Sequence, residues 1–178
     1  MKNYKEKILE ELQSSLSDVK EEEICWLASE IRNAKQVFCD GLGRSGLVMK
    51  SFAMRLGQMG VHSVCVGEVT APAFGKEDLL IIGSASGSSV VLKYHAQKAR
   101  EAGGRVVLIT GKEESALSES AIGRVLIKAP DKDEDNGKKS SIQPMGALFE
   151  QSAQLVCDMV VLELMDQMQI TSEEMRKH

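Results

Sequence analysis

Aromatic side chains are scarce in this sequence: four phenylalanines, two tyrosines and one tryptophan make up 4% of its 178 residues. Stacking on nucleic-acid bases therefore has little to build on. Basic charge is not in excess either, with 22 Lys and Arg against 26 Asp and Glu, which argues against nucleic acid as a partner. No apolar run approaches the roughly 20 residues that span a bilayer. The N-terminal Met-Lys-Asn-Tyr-Lys-Glu-Lys leads into an amphipathic stretch, not into a signal peptide's apolar core. The four cysteines (Cys25, Cys39, Cys65, Cys157) are scattered, with no C-x-x-C pair. Cys39 and Cys65 fall inside predicted strands, which reads as small buried hydrophobes and not as metal ligands or disulfides. These absences leave a soluble, cytoplasmic protein with no membrane partner, most simply one domain over residues 1–178.

What is present is alternation between two periodicities. Residues 4–33 have apolar positions at spacings of three and four, with Ser17-Asp18 expected to cap a break between two helices. Unalternating aliphatic runs follow at Val37–Cys39, Ser63–Val66, Leu79–Ile82, Val106–Ile109 and Val125–Ile127. Helical patterns separate them at Leu47–Met59, Val90–Ala102 and, briefly, Ser115–Ala121. Buried strands alternating with helices predict an α/β fold: a three-layer sandwich on a five-stranded parallel sheet, with the sheet core in residues 35–130. Residues 1–34 supply N-terminal helices and residues 142–178 the C-terminal helices. The acidic run at 131–141 reads as a solvated polar loop, since its spacing fails the calcium-loop pattern.

The last long helix is predicted over 145–168, with Pro144 at its start. One stripe carries Phe149, Ala153, Val156, Val160 and Leu164, and a second carries Leu148, Leu155, Met159 and Leu162. A helix apolar on two sides needs cover on two sides. In so short a chain that cover is expected to be another subunit, so a homo-oligomer is expected.

Two turns carry the chemistry. Gly41-Leu-Gly-Arg-Ser-Gly46 and Gly83-Ser-Ala-Ser-Gly-Ser-Ser89 each follow an apolar run and open a helix. Free backbone N–H groups and the positive end of the helix dipole make such a turn a phosphate site. The first turn matches the dinucleotide fingerprint G-x-G-x-x-G, and Glu68 stands where a ribose-binding acid would. Against a dinucleotide, there is no second domain to hold a hydride acceptor, and the second turn would have no task. Arg44 and Ser45 instead put a cation and a hydroxyl inside the turn. Ser84, Ser86, Ser88 and Ser89 offer four hydroxyls, although one serine suffices to cap a helix. A small phosphorylated ligand is the expected occupant.

The segments Gly43–Leu47, Lys50–Leu56, Val66–Glu68 with Thr70 and Pro72, Asp78–Leu80 and Ile142–Gln151 resemble the 6-phospho-3-hexuloisomerase family, single sugar-isomerase (SIS) domains. The resemblance runs in order from about residue 5 to 178. It implies a flavodoxin-like SIS fold, a tetramer with active sites at subunit boundaries, and neither metal nor organic cofactor. It also implies the conversion of D-arabino-hex-3-ulose 6-phosphate into fructose 6-phosphate, in formaldehyde fixation by the ribulose monophosphate route.

Moving a carbonyl between neighbouring carbons needs a positioned carboxylate. Glu150, early in an apolar helix, reads equally as that base or as an exposed acid favoured by a helix N-terminus. The resemblance places it at the family's base. It likewise places Ser45, Ser84, Ser86 and Ser89 at phosphate-contacting positions, with Arg44 adding charge, and makes His178 the candidate for a proton-transfer histidine contributed by a neighbouring subunit. His62 and His95 read as ordinary surface or core histidines, and Arg55 as a stem covering apolar surface. The family's phosphate turn commonly reads Ser-Gly-Ser-Gly-Glu-Thr, so Ala85 fits only if that residue avoids positive φ, and Ser88 replaces an acid. Another sugar-phosphate aldose–ketose isomerase and a non-catalytic sugar-phosphate sensor are the alternatives.

Overall fold

In the computed structural model, residues 2–130 and 141–177 are described. The polar loop expected at 131–141 therefore lies, apart from Ser141, outside the described residues, as does His178. Two helices, α1 (Tyr4–Ser17) and α2 (Glu21–Arg32), precede β1 (Val37–Gly41), α3 (Gly43–Gln58) and β2 (Ser63–Cys65). Then come β3 (Leu79–Ser84), α4 (Val90–Glu101), β4 (Arg105–Thr110) and β5 (Gly123–Leu126), followed by α5 (Ala147–Met168) and α6 (Ser172–Met175). The strands form one parallel sheet in the order β2-β1-β3-β4-β5, the flavodoxin-like arrangement. In register, Val37 pairs with Leu79, Gly41 with Gly83, and Leu79 with Arg105.

Side-chain alternation along these strands divides the core. Val37, Cys39, Leu79, Ile81, Val107 and Ile109 point into a layer filled by α2, α3 and α5, where Leu27, Phe52, Leu56, Phe149 and Val160 are buried. Phe38, Leu80, Ile82, Val106 and Leu108 point the other way, towards Leu92, Ala96 and Ala99 of α4. The runs look unalternating because both faces are covered.

Several boundaries differ from expectation, each for a local reason. α3 begins at Gly43, not Leu47, because its first turn is built of glycine, arginine and serine that carry no apolar period. Arg44 and Ser45 therefore ride on the helix itself. α5 begins at Ala147, and Pro144 sits in the turn before it, its carbonyl accepting from the Ala147 N–H at 3.1 Å. The helix expected at 115–121 shrinks to a 3₁₀ turn at Ser118–Ser120. Ser17 and Asp18 mark the α1–α2 break, yet neither caps α2: Asp18 closes α1, and Lys20 precedes α2 without a side-chain cap.

The cover of α5 also differs. α1 and α2 of the same chain pack on α5, Leu148 is buried, and Ser152 Oγ meets Ser15 Oγ at 3.1 Å. Of the second stripe, Leu155 and Leu162 stay 38% and 62% exposed, with Leu47 and Met54 of α3 at 65% and 52%. The apolar surface left for another subunit is thus narrower than the sequence pattern suggests. Among the described residues, no helix is long and apolar enough to cross a membrane.

Candidate active site

The strand order reverses between β1 and β3. The chain leaves β1 into α3 on one face of the sheet and leaves β3 towards α4 on the other, which parts the two connections at the carboxyl edge. A cavity of about 550 Å³ opens there. It is lined by Arg44 and Ser45 at the start of α3, by Ser84, Ser86, Ser88 and Ser89 before α4, and by Glu150 of α5. Seven residues singled out from the sequence thus share one cavity. Arg55 lies elsewhere, bonded to Gln58 at 2.8 Å on the exposed side of α3.

The serine turn has a division of labour. Ser89 caps α4, its Oγ accepting from the Leu92 N–H at 3.4 Å. Ser84 Oγ is buried and accepts from the Gly87 N–H at 3.2 Å. Ser86 and Ser88 hold only each other and the turn, with 2.8 Å between their hydroxyl oxygens. Ser84, Ser86 and Ser89 thus each accept a backbone N–H of the turn or helix, while the Ser88 hydroxyl bonds only that of Ser86, and all four line the cavity. Gly87 takes the positive φ of +61°, so Ala85 is spared it, and a Cβ at Gly87 would stand 2.3 Å from Ser115 Oγ. The first turn is equally tight: a Cβ on Gly46 would lie 2.5 Å from the Gly41 carbonyl oxygen.

Glu150 is not the exposed acid that its helix position allowed. Its side chain is 14% exposed, and Oε2 stands 2.9 Å from Arg44 Nη1. That contact is an ion pair without hydrogen-bond alignment, so the buried Oε2 has no hydrogen-bond partner. Burial pushes the Glu150 carboxyl above its ordinary value, and Arg44 pulls only part of the way back. A carboxylate with a free lone pair, a raised pKa and a place in a cavity suits proton abstraction.

The turn that delivers Glu150 escaped the sequence reading. Met145 lines the cavity at φ +61°, a strained conformation for a side chain of its size, and Gly146 follows at φ +78°. The turn is moored to α1: Glu11 accepts from Ser141 Oγ at 2.8 Å, the Ile142 N–H at 2.6 Å and Gln143 Nε2 at 3.1 Å. Gln143 in turn accepts from Gln151 beside the base. The adjacency of Ile142–Gln151 in the sequence was visible, but a partner 131 residues away was not.

A model of the SIS domain matches residues 30–155. The 3-hexulose-6-phosphate isomerase of Bacillus subtilis (strain 168) is 42% identical over 175 residues, spanning 98% of this chain and 95% of that protein. The chain belongs to the 3-hexulose-6-phosphate isomerase family of SIS-domain proteins. The family enzyme of Mycobacterium gastri is 34% identical over 94% of this chain and 84% of its own. A solved Methanococcus jannaschii protein, described as inferring the molecular function of 3-hexulose-6-phosphate isomerase, superposes with a TM-score of 0.83 at 28% identity. That match covers 97% of this chain and 94% of the other. Membership in the 3-hexulose-6-phosphate isomerase family makes this protein a sugar-phosphate isomerase.

A carboxyl that binds its proton more tightly in the native state than in the unfolded chain lowers stability as pH rises from the ordinary carboxylate value, about 4.3, to the raised one. Above that window the penalty is constant. Glu150→Gln removes it, so the variant is expected to melt at a higher temperature than wild type at neutral pH, with the gap closing in acid. A variant that melts lower at neutral pH would contradict the buried, destabilised carboxylate.

Proposed function

We propose that the protein interconverts D-arabino-hex-3-ulose 6-phosphate and fructose 6-phosphate, within formaldehyde fixation by the ribulose monophosphate route. The observation that carries the reading is that Glu150, a largely buried carboxyl with a raised pKa, lines the same cavity as the serine turn. The phosphate rests on the N-terminus of α4, held by backbone N–H groups and the hydroxyls of Ser86 and Ser88, with Ser45, Ser84 and Ser89 completing the cradle. The sugar chain then extends towards α5.

Glu150 takes the proton from C2, next to the C3 ketone; the electron pair left behind forms the C2–C3 double bond as the C3–O3 π pair moves onto O3, which takes up a proton to complete the enediol. The same carboxyl returns the proton to C3, while the hydroxyl proton on O2 is released and C2 becomes the carbonyl. Atoms and electrons balance without an added oxidant or reductant. Arg44 faces the charge that develops on the enediol oxygens and restrains the base. His178 of a neighbouring subunit is assigned to proton movement between the two oxygens. No cofactor is needed for these steps.

In a coupled assay, enzymically generated hexulose 6-phosphate is supplied and fructose 6-phosphate is read out. Glu150→Gln is expected to lower kcat by about 10² to 10⁴, the usual contribution of a positioned base. Turnover unchanged in that variant would remove Glu150 from the mechanism.

The exposed Leu47, Met54, Leu155 and Leu162 support assembly into a tetramer. Light scattering is expected to give four times the 19.4 kDa chain mass, and Leu162→Arg a smaller species. A wild-type monomer would contradict it.

A further inference from the structure

Outside the cavity, the buried acid Asp40 joins two elements through a side-chain bond that the mechanism does not use. Asp40, at the carboxyl end of β1, is 8% exposed and points with Phe38 into the layer under α4. Its Oδ1 accepts from the N–H of Gly41 at 2.8 Å, and its Oδ2 lies 2.7 Å from Nδ1 of His95 on α4. Neither residue lines the cavity. Each is, however, chained directly to one of its walls. Asp40 immediately precedes the Gly41–Gly46 turn, and His95 stands six residues after Ser89, about 9 Å along the helix from the cap.

We propose that the His95–Asp40 bond is a positioning pin that sets the separation of the two glycine turns, and so the grip of the site on the phosphate. The apolar contacts of α4 come mainly from Leu92, Ala96 and Ala99, two of them alanines. Small side chains allow a helix to slide or rotate at little cost, because burial is non-directional. A 2.7 Å bond to a buried carboxyl is directional, and it joins α4 to β1 across the intervening β3. The same carboxyl orients the first peptide of the other turn through Gly41. One side chain thereby fixes both walls. His95 is consequently a positioning residue, not the ordinary packing histidine that the sequence suggests.

This inference rests on reading the serine turn as the phosphate cradle, so its test uses inorganic phosphate as a probe alongside turnover. Calorimetry of phosphate binding is compared for wild type, His95→Ala and His95→Asn, the last of which keeps an N–H donor near the place of Nδ1. His95→Ala is expected to raise the phosphate Kd and the KM for sugar phosphate about tenfold with kcat nearly unchanged, and His95→Asn to restore most of both. A phosphate Kd unaffected in folded His95→Ala, or an equal loss in His95→Asn, overturns the pin. Should His95→Ala not fold, His95→Leu fills the volume without a donor and carries the same comparison. A wild type that binds phosphate in a His95-dependent manner yet turns over no hexulose phosphate would retain the pin and remove the proposed reaction. A wild type that turns over while phosphate ignores His95 would do the reverse.

Discussion

The reversal of strand order between β1 and β3 is the constraint from which the site follows. Parallel strands require crossovers, and crossovers on opposite faces leave a crevice where they diverge. Gly41 pairs with Gly83 at the end of that register, so both turns start from neighbouring positions. The position of the serine turn, the tight approach of Gly46 to Gly41 and the place where α5 arrives with Glu150 all depend on it. The cavity is a consequence of topology before it is a matter of side chains.

Within the crevice, the two halves of the site solve opposite electrostatic problems. The serine turn gathers donors and a helix dipole, an environment that favours a dianion. The α5 side buries a carboxyl and denies its Oε2 a hydrogen bond, an environment that disfavours charge. Arg44, 2.9 Å from Glu150, limits the rise of its pKa. In the proposed reaction a phosphorylated sugar would bridge both environments, its anion at one end and its acidic carbon at the other.

The strands and the two turns were legible because aliphatic runs, glycines and serines are local signals, and seven of the eight candidate site residues line the cavity. The eighth, His178, lies outside the described residues. Features set by distant partners were not legible. Met145 adopts a left-handed conformation that its residue type argues against, Glu11 moors the turn from another helix, and Asp40 meets His95 across 55 positions. The helical start at Gly43 was hidden by glycine's poor propensity, and the burial of Leu148 is set by tertiary packing that periodicity does not show.

The most direct test of the central claim follows hydrogen at individual carbons. Fructose 6-phosphate is incubated with the protein in D₂O and monitored by proton magnetic resonance. If Glu150 works between C2 and C3, deuterium enters C3 of the recovered sugar, C1 keeps its protons, and Glu150→Gln abolishes the exchange. Exchange at C1, or the same exchange at C3 in the variant, would contradict the account.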